Sequence, residues 1–533
     1  MSRRKQMPKF SYSLSLEILF DVFSTFGLPN ESVFEKSYIP AILGDLVNDT
    51  RKIKEGDVFC AVIGSQQNGN DYIAQAVKSG CALIISECKS ADQHGNVIYL
   101  PTEDSTRKVP QIAFYQLNNQ LFSFAKAYYQ SPQQNMTMIG ITGTNGKTST
   151  SQIISKLLAS CKERTAVIGT NGAGQIDALQ PLENTTPAAT QLHQLMAEFW
   201  SDNCKNIAME ISSHALEQRR VTADLLDIAV YTNLSRDHLD YHETMEKYAA
   251  AKYKIFSQKS AQIAVVNGDD EQAKNWLAQW SNKQPVVVYG QSAMISEYAA
   301  YAQASDIKTD ASGAKFTLNT HLGQQRIESP LIGDFNIENL LAAIAVLISK
   351  NISLSDIELA VESLTPIIGR METFIASNKA TAIVDYAHTP DALESALQAC
   401  RHHCVGELWV VFGCGGDRDK GKRPLMAKAA ENFADHLVFT IDNPRTEKAE
   451  DIVEDMLKGC VNPEKVIVLL DRELAIIATL AKAKADDMIL LAGKGHEDYI
   501  IVGNEKINYN EREFVQQIYQ GYQQKSETLG AIV

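Results

Sequence analysis

Short apolar runs alternate with longer segments of helical hydrophobic spacing over most of the chain. Such runs lie at 136–142, 206–212, 227–235 and 262–268, and apolar residues recur at helical spacing between 153 and 161. Apolar runs that alternate with amphipathic helices are typical of βαβ units on a parallel sheet. The pattern therefore predicts an α/β fold with a mainly parallel central sheet.

A second alternating series begins near Ala382 and indicates a separate α/β domain. Before it, residues 333–349 have the pattern of a helix that closes the central unit, and residues 363–370 carry the proline and glycine of a linker. At ~150 residues for each domain, a chain of 533 residues is long enough for about three domains. The predicted domains are 1–116, 117–366 and 367–533.

Composition argues against several classes of partner and location. The chain has 64 acidic and 50 basic residues, which disfavours binding to nucleic acid or anionic lipid. Its nine cysteines show neither CxxC pairs nor metal-ligand spacing, so we expect reduced thiols. Glu17 and Asp21 interrupt the first apolar run before a signal peptide can form, and no later run reaches the ~18 apolar residues of a membrane span. We expect a cytoplasmic protein without membrane insertion.

The segment 139–148 runs from an apolar strand through glycine-rich chain into an amphipathic helix. Glycines there let backbone N–H groups surround phosphate oxygens, and the helix N-terminus adds positive potential. The Lys147 ammonium would contact the terminal phosphates, and the Thr148 hydroxyl would bind Mg²⁺. The strict phosphate-loop pattern has glycine at the position of Ile141. The predicted nucleotide-binding residues are Gly143, Thr144, Asn145, Gly146, Lys147, Thr148 and Ser149.

A phosphate loop alone leaves a kinase, a switch GTPase, a transporter ATPase and a ligase open. From Thr142 onward, however, the chain resembles the muramyl ligases, whose phosphate loop reads TGTNGKTST as at 142–150. The resemblance covers about residues 45–515. It rests also on the motifs at 184–187, 210–216, 233–240, 369–372 and 385–391.

The resemblance implies a three-domain fold with a UDP-binding N-terminal domain, a central phosphate-loop ATPase domain and a C-terminal Rossmann-like domain. It implies an ATP- and Mg²⁺-dependent ligase that adds meso-2,6-diaminopimelate to UDP-N-acetylmuramoyl-L-alanyl-D-glutamate through an acyl phosphate, in peptidoglycan precursor synthesis. We expect a monomer. The alternatives are a lysine-adding or folate-polyglutamate ligase, a phosphate-loop switch or motor that makes no amide, and a catalytically inactive UDP-sugar-binding scaffold.

The resemblance also assigns residues to catalysis and to ATP. Lys147 would stabilise the transferred phosphoryl group, while Glu210 and His238 resemble the family's Mg²⁺ ligands. Lys252 matches a lysine that is carbamylated in the family to N6-carboxylysine and holds a second Mg²⁺. Taken alone, a lysine on such a helix is typical of a solvated face. The further ATP contacts that the resemblance implies are Asn336, Arg370, Asp385 and His388.

For the UDP-muramyl dipeptide, the resemblance points to hydroxyl, amide and guanidinium donors suited to sugar, phosphate and carboxylate oxygens. The segment Asn48-Asp49-Thr50-Arg51 is similar to a family signature that has serine where this chain has Thr50. Taken alone, Ser212 and Thr185 are ordinary capping or turn residues. The predicted contacts are Thr50, Thr185, Thr186, Ser212, Gln218 and Arg220.

The acceptor amino acid is predicted from residues 442–445, a motif of the form that diaminopimelate-adding ligases carry. Diaminopimelate differs from lysine by a second carboxylate, which the Arg445 guanidinium can bind through two parallel hydrogen bonds while it repels the ammonium end of lysine. Gly493 would permit close backbone approach, Asn443 would fix the loop, and Glu497 would pair with the distal ammonium. The predicted acceptor site is Arg418, Asp442, Asn443, Pro444, Arg445, Gly493 and Glu497.

Overall fold

The computed structural model of the chain describes residues 12–64, 67–103, 107–256, 262–280, 284–310, 313–365 and 367–530. The first eleven residues, part of the N-terminal segment searched for a signal peptide, and Pro366 of the predicted linker lie outside the described residues. Contacts between Cα atoms group the chain into two compact units. The first unit is Met1–Ile139 with Glu163–Asp227, and the second is Gly140–Lys162 with Ile228–Val533. The three domains predicted along the chain stay a prediction.

Strands and helices alternate along the chain as the hydrophobic pattern predicts. Up to residue 227 they are β1 (Leu14–Ser15), α1 (Leu16–Thr25), β2 (Ile42–Leu43), β3 (Leu46–Val47), β4 (Val58–Ala61), α2 (Ile73–Lys78), β5 (Leu83–Cys88), β6 (Val97–Pro101), β7 (Lys108–Tyr115), α3 (Leu117–Tyr128), β8 (Thr137–Thr142), α4 (Lys147–Ser160), β9 (Thr165–Gly169), β10 (Gly172–Gly174), α5 (Ala189–Ser201), β11 (Asn206–Glu210) and α6 (Ser213–Glu217). From residue 228 they are β12 (Ile228–Tyr231), α7 (Leu239–His242), α8 (Met245–Tyr253), β13 (Ile263–Asn267), α9 (Glu271–Ala278), β14 (Val286–Gly290), β15 (Tyr301–Asp310), β16 (Gly313–Thr320), β17 (Gly323–Ser329), α10 (Asp334–Ser349), α11 (Leu354–Glu362), β18 (Glu372–Phe374), β19 (Thr381–Asp385), α12 (Pro390–His403), β20 (Leu408–Phe412), α13 (Lys422–Phe433), β21 (His436–Phe439), α14 (Ala449–Leu457), β22 (Ile467–Val468), α15 (Arg472–Lys482), β23 (Met488–Ala492), β24 (Tyr499–Val502), β25 (Glu505–Asn508) and α16 (Glu511–Gly530).

The first unit contains a sheet in the order β3-β4-β5-β7-β6. Its first four strands pair in parallel, and β6 pairs antiparallel with β7 at the edge. Phe59, Ile84 and Val109 of three of these strands form a buried cluster with Ala76 of α2. In the same unit, β9 pairs in parallel with β11 and antiparallel with β10. Parallel strands end at one edge, so this pairing aligns the residues that follow β9 and β11.

In the second unit, β12, β13, β14 and β15 pair in parallel, and β16 and β17 continue as an antiparallel meander. A second sheet has the order β18-β19-β23-β20-β21-β22 and is parallel except for β18. Every residue of β20 and β23 is buried, as expected for strands with both faces covered. These sheets confirm the predicted α/β fold with mainly parallel strands.

Two predicted elements have instructive outcomes. The helix predicted at 333–349 is confirmed as α10, with Gly333 immediately before its first turn. The apolar run at 227–235 is a strand only as far as Tyr231, and the residues after it turn towards the chain that follows β8. Across the ranges described above, no helix combines the length and apolarity needed to cross a membrane.

Candidate active site

The phosphate loop joins β8 to α4 and depends on two glycines. Gly143 and Gly146 have φ angles of +154° and +84°, which residues with a side chain rarely adopt. A Cβ on Gly143 would overlap the Thr232 hydroxyl, and one on Gly146 would overlap the Asn339 carboxamide oxygen. Ile141, where the strict pattern has glycine, is fully buried in β8 before the loop begins. The loop therefore keeps the glycines that its shape requires.

Residues after β12 hold the phosphate loop by hydrogen bonds. The Thr144 N–H donates to Asn233 O (2.9 Å), and the Asn145 N–H donates to Asn233 Oδ1 (2.9 Å). The Thr232 hydroxyl donates to Asn145 O (2.6 Å), and the Ser235 N–H donates to Thr144 Oγ1 (3.0 Å). The sequence assigns these bracing residues no role, although Asn233 and Ser235 stand in one of the quoted motifs. These contacts hold the phosphate loop against the residues that follow the carboxyl end of β12.

The Lys147 side chain folds back onto the loop that precedes it. Its Nζ donates to Gly143 O (2.9 Å) and to Thr144 O (2.8 Å). Thr148 and Ser149, which follow it in α4, are buried. The predicted nucleotide-binding residues of this segment therefore lie together between the strand and the helix, with the ammonium beside the loop backbone.

A chain of amides links α4 to the start of α10. The Thr150 hydroxyl donates to Asn339 Oδ1 (3.2 Å), and Asn339 Nδ2 donates to Asn336 Oδ1 (3.2 Å). Asn336 Nδ2 in turn donates to Ile332 O (2.8 Å). Asn336 and Arg370, both predicted ATP contacts, line one pocket. Asn336 thus borders this pocket, and its amide accepts a hydrogen bond from Asn339, the residue that contacts the phosphate-loop helix α4.

His238 and its neighbour Asp237 lie in the segment between β12 and α7. His238 has a left-handed backbone with φ 53°, and its Nε2 is 3.4 Å from Asp237 Oδ2. Burial raises the pKa of Asp237, but the charges of His238 and Lys422 outweigh it and lower that pKa to about 2. The His238 imidazole is 46% exposed, so the predicted metal ligand is accessible.

Lys252 is fully buried in α8 rather than solvated. Its residue is 1% exposed, and its Nζ lies 4.2 Å from the centroid of the Tyr248 ring. Burial of the ammonium lowers the pKa of Lys252 well below the usual lysine value, and the charge of Lys147 lowers it further. The reading of Lys252 as an exposed helix residue is therefore wrong, because its side chain points into the unit.

Of the other predicted ATP contacts, Arg370 precedes β18, Asp385 ends β19 and His388 follows it. Asp385 accepts hydrogen bonds from the Met371 and Ala387 N–H groups (2.8 Å each), and burial raises its pKa. The Arg370 guanidinium lies 4.6 Å from the centroid of the Tyr386 ring. His388 is held by a contact of 2.9 Å between Nδ1 and Tyr386 O.

Burial lowers the pKa of His388 to about 4, and the charge of Lys422 acts in the same direction. This imidazole is therefore neutral near pH 7. Asp385, by contrast, accepts hydrogen bonds from the backbone N–H groups of Met371 and Ala387 with its two carboxylate oxygens, so these contacts have a structural role.

Glu210 ends β11 in the first unit, and Thr170 follows β9 beside it. The Thr170 N–H donates to Glu210 Oε1 (3.0 Å), and the Thr170 hydroxyl donates to Oε2 (3.1 Å). A Cβ on Gly169 would overlap the Glu210 carboxylate. The sequence assigns Gly169 and Thr170 no role, and no local motif marks them, since the two strands meet across forty residues of chain.

Four of the predicted UDP-muramyl dipeptide contacts surround the same strand end. The hydroxyls of Thr170 and Thr185 are 3.1 Å apart. The Thr186 hydroxyl donates to Glu210 O (2.9 Å) and accepts from the Ser212 N–H (3.0 Å). Arg220 Nη1 donates to Thr186 O (2.6 Å). This cluster presents hydroxyl and guanidinium groups side by side.

Ser212 and the two remaining members of that predicted set, Gln218 and Thr50, have local roles as well. The Ser212 hydroxyl caps α6 by accepting from the Ala215 N–H (3.1 Å), and Gln218 ends the same helix. Thr50 is buried in a short 3-10 turn that follows Asp49. Asn48 of that segment accepts a hydrogen bond from the Thr190 hydroxyl (3.0 Å). The Asn48–Arg51 segment is therefore tied to α5 within the first unit.

Lys494 is the centre of the candidate acceptor site, and the sequence assigns it no role. Its fully buried Nζ lies 3.0 Å from both Asp442 Oδ1 and Glu497 Oε2. It also donates to Asn443 Oδ1 (2.9 Å) and Tyr499 O (3.0 Å). Burial opposes ionisation of Asp442, but the Lys494 charge holds its pKa below the usual value, whereas burial raises the pKa of Glu497. The signal for Lys494 was its position between Gly493 and Glu497, which are both predicted acceptor contacts.

Asn443 and Arg445 are fixed by the loops around them. Asn443 Nδ2 donates to Glu497 Oε2 (3.0 Å), and Asn443 Oδ1 accepts from the Ile501 N–H (2.9 Å). The Arg445 N–H donates to Ile501 O (3.0 Å), and its Nη1 donates to Gly416 O (2.9 Å). The β24–β25 hairpin therefore supports the loop that follows β21.

The side chains of Arg445 and Arg418 both approach Gly415. A Cβ on this glycine would lie 3.1 Å from Arg445 Nη1 and 3.6 Å from Arg418 Cγ. Burial lowers the pKa of Arg445, and the like charge of Arg418 lowers it further. Like charges held close together favour an anion between or beside them. Gly493, with a φ of +107°, lies opposite, where a Cβ would be 3.9 Å from Asp442 Cγ.

Known proteins resemble the chain over nearly its whole length. Residues 141–347 match the Mur ligase middle domain, and residues 369–495 match a domain described as Mur ligase, glutamate ligase domain. A protein of Haemophilus influenzae (strain 86-028NP) named UDP-N-acetylmuramoyl-L-alanyl-D-glutamate--2,6-diaminopimelate ligase is 42% identical over 471 residues, 88% of this chain and 95% of its own length. A protein of the same name from Vibrio vulnificus (strain YJ016) is 43% identical over 470 residues, 88% of this chain and 93% of its own. A solved structure of that ligase covers 90% of this chain and 94% of its own at 33% identity and a TM-score of 0.60.

Proposed function

The chain belongs to the Mur ligase family, and from this premise we propose that it adds meso-2,6-diaminopimelate to UDP-N-acetylmuramoyl-L-alanyl-D-glutamate. The reaction consumes ATP, requires Mg²⁺ and forms an amide bond in the synthesis of peptidoglycan precursors. The relatives that match over most of their own length carry this activity in their names. The substrates are therefore the UDP-linked dipeptide and the diamino acid.

The charges of the acceptor site support meso-diaminopimelate as the amino acid that is added. The side chains of Arg445 and Arg418 both lie near Gly415, while the carboxylates of Asp442 and Glu497 lie beside Lys494. The free end of diaminopimelate carries one carboxylate and one ammonium. A guanidinium pair can hold the carboxylate and the acidic side chains can hold the ammonium. The free end of lysine has only the ammonium, so the arginines would repel it.

Amide formation begins with activation of a glutamyl carboxylate. Its oxygen attacks the terminal phosphorus of ATP, giving an acyl phosphate and ADP, and the amine of the acceptor then displaces phosphate. Two anions must approach each other, so positive charge has to neutralise the phosphoryl oxygens. We assign Lys147 this role, because its ammonium already lies against the loop carbonyls of Gly143 and Thr144.

The donor chemistry of the chain fits Mg²⁺ that is shared with ATP phosphates. Magnesium is usually held by one or two protein oxygen ligands together with phosphates and water. Within the described ranges, no group of three or more His, Cys, Asp or Glu side chains is arranged to hold a metal by itself. We propose Thr148, Glu210, His238 and Lys252 as ligands. When bound, Mg²⁺ would neutralise charge on the phosphoryl oxygens.

Carbamylation of Lys252 is part of this proposal. An amine must be neutral to combine with CO₂, and the product carries a carboxylate-like group that suits a hard cation. The complete burial of Lys252 supports the modification, because burial disfavours the ammonium form. A buried carbamate would in turn gain stability from a bound metal.

The remaining assignments also stay proposals. For ATP we propose residues 143–149 with Asn336, Arg370, Asp385 and His388. For the UDP-muramyl dipeptide we propose Thr50, Thr185, Thr186, Ser212, Gln218 and Arg220. For meso-diaminopimelate we propose Arg418, Asp442, Asn443, Pro444, Arg445, Gly493 and Glu497. We further propose that the enzyme acts in the cytoplasm and that its domains are 1–116, 117–366 and 367–533.

A phosphate-release assay with separate amino acids tests the function. Purified protein is given UDP-muramyl dipeptide, ATP and Mg²⁺ with meso-diaminopimelate, with L-lysine or with no acceptor, and the products are weighed by mass spectrometry. We expect phosphate release and a tripeptide product with meso-diaminopimelate. Phosphate release that is equal without an acceptor would favour a phosphate-loop switch or motor, and a product with lysine alone would make the chain a lysine-adding ligase.

A further inference from the structure

A buried ion pair lies beneath the acceptor site and outside every role assigned above. Arg472 begins α15, and Glu511 begins α16. Their side chains are 1% and 0% exposed, and they are joined through Arg472 Nε and Nη2. The Tyr509 hydroxyl donates to the same carboxylate (3.0 Å). Removing two charges from water costs more than most such pairs regain, so stability alone is a poor reason for this one.

The remaining donors of Arg472 reach two strand ends. Its Nη1 donates to Ile441 O (3.0 Å), and its Nη2 donates to Ala492 O (2.9 Å). Ile441 follows β21 and immediately precedes Asp442, while Ala492 ends β23 and immediately precedes Gly493. Both acceptor loops therefore start from carbonyls held by one guanidinium.

The strands β21 and β23 are not neighbours in the sheet, so the Arg472 guanidinium links strand ends that no strand pairing joins. In the sheet, β20 lies between β21 and β23, so no ladder of hydrogen bonds joins β21 to β23 directly. The planar fork of an arginine can bridge two acceptors at a fixed spacing, which the three rotatable donors of a lysine do less well. Glu511 and Tyr509 hold that fork from the opposite side.

We propose that Arg472 is a positioning residue that sets the spacing between the two acceptor loops, and that Glu511 and Tyr509 keep it in place. The inference rests on the proposed function, because it concerns how that reaction selects its amino acid. Arg472 does not contact the substrate in this proposal, because its donors are already engaged by Glu511, Ile441 O and Ala492 O. It acts through the placement of Arg445 on one loop and Glu497 on the other, which would bind opposite charges of the acceptor.

The decisive variant replaces the pair by apolar residues of similar size, Arg472→Met with Glu511→Leu. Such replacements leave stability unchanged or raise it in proteins where the pair is not needed for folding. We expect a melting temperature at or above the native one, with the KM for meso-diaminopimelate raised roughly 10- to 100-fold, because small misplacements of binding groups have effects of that size. The KM values for ATP and the UDP-muramyl dipeptide should change by less than about twofold, as their proposed contacts lie elsewhere.

The matched control is Arg401→Met with Asp435→Leu. Arg401 also joins a carboxylate and a carbonyl, through Asp435 Oδ2 (2.7 Å) and Gly406 O (2.7 Å). These partners precede β20 and β21, at the opposite end of the strands from the acceptor loops. We expect native KM values for all three substrates in this control.

Several outcomes separate the inference from the proposed function. If the native enzyme ligates meso-diaminopimelate and the Arg472→Met/Glu511→Leu enzyme has the same KM for it, the inference is overturned while the function stands. If all three KM values rise together and the melting temperature falls, Arg472 has a general structural role and the inference is also overturned. If the native enzyme forms no product, both fail. Should the double variant not fold, Glu511→Gln decides, with the same selective rise in KM expected at smaller size.

Discussion

The phosphate loop and the acceptor site are built in opposite ways. The phosphate loop is one continuous segment, shaped by Gly143 and Gly146 and held by hydrogen bonds to neutral groups after β12. Its cation, Lys147, donates to the loop carbonyls of Gly143 and Thr144. The acceptor site joins segments that are distant in sequence, and its buried Lys494 is already surrounded by carboxylates.

This difference has a consequence for how each site responds to substitution. The phosphate loop supplies positive charge and backbone donors, and the negative charge of ATP would balance them. Loss of Lys147 therefore removes a contact to the ligand, while the hydrogen bonds to residues after β12 still hold the loop. The acceptor site has paired Lys494 with Asp442 and Glu497 before ligand arrives, so a substitution in this trio also leaves a protein partner without its counter-charge. Activity should therefore fall most in the first site, and selectivity should change most in the second.

Lys147→Ala should have the largest effect on catalysis. The substitution removes a positive charge from the phosphoryl oxygens, and we expect kcat to fall by roughly 100- to 1,000-fold or more. Circular dichroism and the melting temperature should stay close to native, because Thr232 and Asn233 still hold the loop. Lys156→Ala, a half-buried lysine on the same helix whose ammonium donates to Thr365 O (2.9 Å), is the control. Native turnover in Lys147→Ala would contradict the phosphate-loop assignment.

Lys252→Ala should be nearly inactive, with kcat lowered on the order of 100-fold, because the carbamate ligand is lost. Short carboxylates such as acetate or formate should restore part of the activity by occupying the space that the side chain leaves. Lys254→Ala, an exposed neighbour, should remain active and should show no response to carboxylates.

Mass spectrometry can detect the carbamate on Lys252 directly. Native protein analysed intact under gentle conditions should carry the mass of one added CO₂, which the Lys252→Ala protein lacks. A fully active alanine variant together with an unmodified native mass would rule out the carbamate.

Arg445→Ala should change selectivity more than turnover. Loss of one charge-assisted contact costs about 1.5–3 kcal/mol, or roughly 10- to over 100-fold in apparent affinity. We expect the KM for meso-diaminopimelate to rise by this factor, the KM for ATP to stay near native and the preference over lysine to narrow. Arg401→Ala, in α12 of the same unit, serves as control. An equal rise in both KM values would mean that Arg445 acts on the fold and not on the acceptor.

Glu338→Gln should have the smallest effect, on stability. Glu338 lies next to Asn339 in α10, and burial together with the charges of Asp269, Asp270 and Asp334 raises its pKa from 4.5 to about 7. A carboxyl with a raised native pKa favours folding while it is protonated, and this contribution is lost as the pH rises through about 7.

Between pH 5 and 8 the native protein should lose roughly 2 kcal/mol more unfolding free energy than Glu338→Gln, less than the full shift would give because the side chain is only partly buried. Denaturant titrations at both pH values measure this difference. The exposed Glu362→Gln should behave as native protein. If the unfolding free energy of Glu338→Gln falls between pH 5 and 8 by as much as that of native protein, Glu338 is not the titrating group.

The comparison also explains which features are visible in the sequence. The phosphate loop is readable because strand, glycines, lysine and helix follow one another within ten residues, so local rules suffice. Even the departure at Ile141 is harmless, since that side chain is buried in β8 ahead of the loop. The α/β class is readable for the same reason, because each strand and helix has its own hydrophobic period.

Other features depend on contacts between distant segments. Thr170 meets Glu210 only when β9 and β11 pair, and Arg472 meets Glu511 across thirty-nine residues. Lys252 has the local pattern of an exposed helix residue, because its helix carries few strongly apolar neighbours to mark the buried face. Lys494 lies between the predicted contacts Gly493 and Glu497, but its burial follows from loops that converge after folding. Pairing and burial of charges are tertiary properties, so residue type and spacing did not reveal them.

The most direct test of the account is a competition for the acceptor site. Native enzyme is given UDP-muramyl dipeptide, ATP and Mg²⁺ with equal concentrations of meso-diaminopimelate and L-lysine, and the products are separated by mass. If Arg445 and Arg418 select the second carboxylate, nearly all product should contain diaminopimelate. Comparable amounts of the two products would contradict the proposed selectivity, even if the total rate of ligation were high.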